Sequence, residues 1–131
     1  MPTLVMKFGG TSVANLDRIA RAAKRVALEV ANGYDVIVIV SAMSGKTNEL
    51  VGWVNETSPL YDAREYDVVV SSGEQVTAGL MALALQKQGV EARSWMGWQV
   101  PILCSRVHGK ARIEDIKADE MDQQMKTGQV A

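Results

Sequence analysis

The run Val36-Ile37-Val38-Ile39-Val40 constrains this chain most. Five β-branched residues in a row favour a strand, and the absence of polar alternation predicts a central strand covered on both faces. The residues before it narrow the choice. TLVMKF, residues 3–8, reads as a shorter strand ended by Gly9 and Gly10. Residues 11–15 read as polar loop. Asn15 is the expected helix N-cap, with Asp17 in the first turn, where a carboxylate favours the helix dipole. Ile19, Ala23, Val26 and Val30 then recur at helical spacing and form an apolar stripe, while Arg18, Arg21, Lys24 and Arg25 lie mostly off it. Asn32-Gly33 ends that helix. Strand, loop, helix and strand in this order predict two parallel strands joined by a right-handed crossover.

The rest of the chain continues an α/β pattern. A helix is expected over 48–56, with Leu50, Val51 and Val54 inward and Ser58-Pro59 as its breaker. By propensity alone, residues 67–71 read as a strand. Ser72, Gly73 and Glu74 lead into a helix through Leu85, ended by Gly89. Ala92 to Trp95 reads as a strand and 96–110 as loop. Residues 111–116 read as a strand, and 118–126 as a helix. Gly128 to Ala131 reads as a turn and the start of a further strand.

Composition sets outer limits. With 47% hydrophobic and 22% charged residues the chain is an ordinary globular sequence. A net charge of -1 gives no basic footprint, so nucleic acid is not an expected partner. The single cysteine, Cys104, excludes an internal disulfide, and with the single histidine, His108, it excludes cysteine-rich and multi-histidine metal sites. Cys104 is expected to be buried. Trp53, Trp95 and Trp98 are expected in the core or an interface. The opening MPTLVMKFGG shows no basic region before its apolar run, so no signal peptide is expected. The longest apolar run, Val76 to Leu85, falls short of the roughly 18 residues of a membrane span. A soluble, reduced compartment, the cytoplasm, is the expectation, with no membrane partner.

In open parallel sheets, ligands bind beyond the C-terminal ends of the strands. Two loops lie there. In KFGGTS, residues 7–12, paired glycines let backbone amides approach a ligand, Lys7 brings positive charge, and Thr11 and Ser12 add hydroxyls. The same residues also suit a plain glycine turn beside a lysine whose ammonium reaches water. In the second loop, Gly45-Lys46-Thr47 imitates the end of a P-loop. The first glycine of that signature would fall at position 40, which is Val40 inside the strand, so a P-loop is rejected. Ser41, Ser44 and Thr47 remain as donors, and Thr47 equally suits a helix N-cap. Glu74 follows Ser71-Ser72-Gly73. It reads either as a first-turn glutamate in a capping box with Ser71 or, if its helix faces the two loops, as a partner for an ammonium group.

KFGGTSV at 7–13, VIVIVSAMSGKTNEL at 36–50, SSGE at 71–74 and HGKARIEDI at 108–116 together resemble the beginning of an aspartokinase, within the amino-acid kinase superfamily. The resemblance covers essentially all 131 residues and is closest to the short, lysine-pathway type. It implies a three-layer α-β-α sandwich around a mainly parallel sheet, of the carbamate kinase-like kind, here incomplete. It also replaces the strand expected at 67–71 with helix.

The implied activity is transfer of the ATP γ-phosphoryl group to the β-carboxylate of L-aspartate, the first step toward lysine, threonine and methionine. Lys7 would contact the transferring group, and Gly9 and Gly10 would close on the phosphates. Ser41 would lie beside the reacting groups. Thr47 would bond the aspartate, and Glu74 would pair with its α-ammonium. ATP would bring Mg²⁺, with no metal site in the protein. The family's kinase domain continues well beyond this length, through a TLGRGGSD-like segment and later nucleotide-base loops, and carries regulatory ACT domains. Residues 1–131 are therefore expected to be the N-terminal part of a catalytic domain, inactive alone and oligomeric in the full enzyme. The alternatives are a kinase of the acetylglutamate or glutamate type, and a non-catalytic piece that binds a partner chain.

Overall fold

The computed structural model describes all 131 residues. The opening unit forms as its sequence predicts. Strand β1, Thr3–Phe8, and strand β2, Asp35–Val40, pair in parallel with Thr3 opposite Asp35 and Phe8 opposite Val40. Between them a 3-10 turn over Gly10–Val13, where plain loop was expected, leads to helix α1, Leu16–Ala31. The Asn15 side chain caps α1 by accepting from the Arg18 amide at 2.9 Å. Gly33, at φ +95°, adopts the left-handed geometry that turns the chain back into β2.

Helix α2, Lys46–Thr57, and helix α3, Ala63–Lys87, follow. Helix α3 absorbs residues 67–71, so the helix implied by the family resemblance holds against local strand propensity. It begins at Asp62, whose carboxylate accepts from the Arg64 and Glu65 amides at 2.8 and 3.2 Å. By length and mean hydropathy (1.4 over 18 residues) α3 is long and apolar enough to cross a membrane, where only a shorter apolar run was expected. Its Met81 and Leu85 instead join Ile19, Ala23 and Val26 of α1 and Val36 of β2 in the hydrophobic core.

The sheet is covered on one face only. Met6 and Phe8 of β1 face the core with the helices, whereas Val5, Lys7 and Ile39 are exposed on the other side. The expectation that β2 is covered on both faces is therefore corrected: α1 and α3 cover one. Beyond β2, the Ala131 amide donates to the Val36 carbonyl at 3.3 Å, and the Val38 amide donates to the Ala131 carbonyl at 2.7 Å. Val130 makes a parallel bridge to Ala92, which is all that forms of the strand expected at 92–95.

A separate two-stranded hairpin occupies the later part. Strand β3, Ile102–Cys104, falls where only loop was expected, and pairs antiparallel with β4, Ile113–Ile116. The hairpin is largely exposed, so Cys104 is exposed rather than buried. Trp53 and Trp98 are also exposed, at 54% and 70%, which rules out the core among the core or interface positions expected of them. His108 Nδ1 lies 3.3 Å from Asp67 Oδ2 of α3, and the Gly109 amide donates to the same oxygen at 3.1 Å. Helix α4, Asp119–Met125, leads to the closing residues.

Candidate functional site

The parallel register sets the site. Ser41 extends the β1–β2 ladder by one step, its amide donating to the Phe8 carbonyl at 3.2 Å. Both strands thus end at one level, and both following loops leave from the same edge. There Gly10 is pressed against the second loop. A Cβ on Gly10 would lie 3.1 Å from the Ala42 carbonyl oxygen, so a side chain at this position would force the loops apart. Gly9 is different. A Cβ there would meet nothing, so no packing contact within the chain requires its bareness.

The second loop ends at Gly45, which caps α2 in the left-handed region at φ +79°. No side chain caps this helix, which corrects the expectation for Thr47, placed in the first turn instead. The Thr47 and Asn48 amides donate to no backbone carbonyl. Uncapped first-turn amides and the positive end of the helix dipole favour an anion. Lys46 does not act as a P-loop lysine would. Its Nζ lies 2.8 Å from Glu49 Oε2 on the surface of α2.

Glu74 reaches the site from the middle of α3, not from a helix start. Ser71 and Ser72 turn their hydroxyls back to the Val68 and Val69 carbonyls, at 3.5 and 2.7 Å, so the capping box does not form. Gly73 allows α3 to approach closely, since a Cβ there would stand 3.0 Å from the Ala42 methyl and 3.3 Å from Leu50 Cδ1. The exposed Glu74 carboxylate carries no ion pair.

The result is an open polar cleft of about 450 Å³, lined by Gly10, Thr11, Ser41, Thr47, Asn48 and Glu74 among others. Four of the residues expected to act together, Gly10, Ser41, Thr47 and Glu74, meet here. Lys7 and Gly9 do not line it. Lys7 lies opposite Ile39 on the open sheet face, exposed and without an ion pair. Asn48 was not singled out by sequence, and its only signal was its place next to Thr47. No cluster of three or more His, Cys, Asp or Glu side chains forms anywhere in the chain. Chemically, the cleft offers hydroxyls, free amides and a helix dipole on one wall and a free carboxylate on the other. It suits a small zwitterion with an anionic end.

Known proteins resemble this chain in sequence and in fold. An aspartokinase of Rickettsia felis is 47% identical over 133 residues, and aspartokinase 2 of Bacillus subtilis is 42% identical over 130 residues; each alignment covers 99% of this chain. The chain spans about a third of the length of these curated relatives, 33% and 32%. Aspartate kinase from Synechocystis superposes with a TM-score of 0.84 at 36% identity, over 98% of this chain and 21% of that one. The fold is also that of E. coli aspartokinase III, determined in complex with aspartate and ADP, at a TM-score of 0.82 and 21% identity, over 99% of this chain and 40% of that one. The family model described as the amino acid kinase family matches residues 2–131, nearly the whole length: the chain belongs to the amino acid kinase family.

Proposed function

We propose that the chain contributes to an aspartate kinase, which transfers the γ-phosphoryl group of ATP to the β-carboxylate of L-aspartate and yields 4-phospho-L-aspartate. The observation that carries this reading is the meeting of Gly10, Ser41, Thr47 and Glu74 in one cleft beyond the strand ends. The aspartokinase relatives support it, as does the E. coli structure that holds aspartate and ADP.

The chemistry needs no general base, because the acceptor carboxylate is ionised at neutral pH. The difficulty is repulsion between two anions, which positive charge and oriented donors relieve. In this reading Glu74 pairs with the α-ammonium of aspartate and Thr47 bonds the same substrate. Ser41 stands beside the reacting groups. Gly9 and Gly10 close on the phosphates, which fits the absence of any packing need for a bare Gly9. Lys7 does not line the cleft but lies unpaired one residue before the end of β1, and in this reading its ammonium reaches the transferring group beyond the strand end. ATP carries Mg²⁺ with it. The reading extends to a cytoplasmic, oligomeric enzyme that feeds lysine, threonine and methionine synthesis.

The test is ATP-dependent acyl-hydroxamate formation by the complete gene product carrying this sequence. L-Aspartate is expected to give product, and L-glutamate and N-acetylglutamate little. Equal or greater turnover with either of the latter overturns the substrate assignment. No turnover with any of the three overturns the kinase reading.

A further inference from the structure

Ala42 is held between two glycines. Its carbonyl oxygen lies 3.1 Å from the place of a Gly10 Cβ, and its methyl 3.0 Å from the place of a Gly73 Cβ. Gly10 belongs to the turn after β1, Ala42 to the loop after β2, and Gly73 to α3. One buried alanine of the β2 loop, 5% exposed, therefore sits between the turn after β1 and α3, two of the other segments that build the cleft. Leu50, 6% exposed, closes the fourth side from α2, 3.3 Å from the Gly73 position.

We infer that the Gly10–Ala42–Gly73 stack is a spacer that sets the distance between Glu74 and the strand-end loops, and so the length of amino acid the cleft accepts. Ala42 is not free to retreat from a side chain at position 73, because it is itself buried in the loop. Leu50 cannot retreat freely either, being buried against the same seam. A methyl at 73 is therefore relieved by displacing α3, by a few tenths of an ångström. Glu74 is the next residue on that helix and moves with it. The hydroxyls and free amides of the opposite wall stay with the β2 loop and α2. Gly73 does not line the cleft, and Ala42 borders it with a side chain that is only a methyl group; both act in this arrangement as positioning residues, through Glu74.

The inference rests on the aspartate kinase reading, in which Glu74 binds the ammonium and the loops bind the reacting end. It is tested in the complete gene product with Gly73→Ala and with the double variant Gly73→Ala/Ala42→Gly, which removes the methyl that collides. For Gly73→Ala, the KM for L-aspartate is expected to rise about tenfold, with the KM for ATP within about twofold of wild type, since sub-ångström misplacement is enough to cost binding at a fixed site. The ratio of kcat/KM for L-glutamate to that for L-aspartate is expected to rise. Both changes should reverse in the double variant.

An unmoved aspartate KM in Gly73→Ala overturns the spacer, as does a raised KM that the double variant does not restore. A purely structural role would lower the unfolding midpoint and the active fraction and leave both KM values in place. If Gly73→Ala does not fold, the double variant decides: wild-type KM values support the spacer, and altered ones overturn it. A wild-type protein without aspartate-dependent turnover is a distinct outcome. It overturns the function and removes the spacer with it.

Discussion

Lys7 and Glu74 make different demands on the proposed chemistry, and kinetics separates them. A charge that acts on the transferring phosphoryl group matters most in the transition state. Lys7→Ala is thus expected to lower kcat by about 10²–10³, with a small change in KM. Glu74 acts on the ammonium, which does not change during transfer. Glu74→Gln keeps the shape and removes the charge, so the KM for L-aspartate should rise about ten- to a hundredfold with kcat largely kept. Steady-state kinetics on both variants checks this; a kcat defect confined to Glu74→Gln would reverse the assignments. At this scale the sequence was legible where rules are local. Asn15 caps α1 because the side chain needs only the next turn. Cys104 departs from its expected burial because burial depends on what packs above it, and the β3–β4 hairpin is largely exposed.

Helix α3 shows the limit of local reading at the scale of an element. Val68-Val69-Val70 has strand propensity, and the pattern of its neighbours does not oppose it. The helix wins through contacts that are distant in sequence, with Met81 and Leu85 in the α1 core and Gly73 against the β2 loop and α2. That placement also moved Glu74 from an expected helix start to mid-helix, while leaving it in the expected cleft. The start of α3 lies instead at Asp62, which bonds two first-turn amides. Asp62→Ala is expected to cost about 1 kcal/mol of stability, read as a lower urea midpoint at unchanged slope. Because Asp62 lies three turns from Glu74, the KM for L-aspartate should not move. The contrast with Gly73→Ala separates loosening of the helix end from displacement of the helix.

At the scale of the whole molecule, the apolar run of β2 asks for more cover than these residues provide. Its core face is packed by α1 and α3, and its other face and far edge border an apolar cavity of about 460 Å³ that Trp95, Met96 and Trp98 also line. The parallel β-α-β order was legible because two strands joined by one helix admit a single handed solution; the extent of cover was not, because it depends on residues far along the chain. The edge has a sharp local consequence. In a parallel ladder, alternate amides of a strand point to opposite neighbours. Ser41 points to β1 and donates to Phe8 at 3.2 Å, while Val38 points the other way and donates to Ala131 at 2.7 Å. Val40 has the parity of Val38, lies beyond the reach of Ala131, and donates to no backbone carbonyl. In this 131-residue chain its amide should therefore exchange with solvent at least about fivefold faster than those of Val38 and Ser41, the factor expected for one hydrogen bond worth ~1 kcal/mol. Residue-resolved hydrogen exchange by NMR measures the three side by side. Equal protection at Val40 would mean that another backbone pairs with this edge of β2 in solution, and the edge described here would then be occupied.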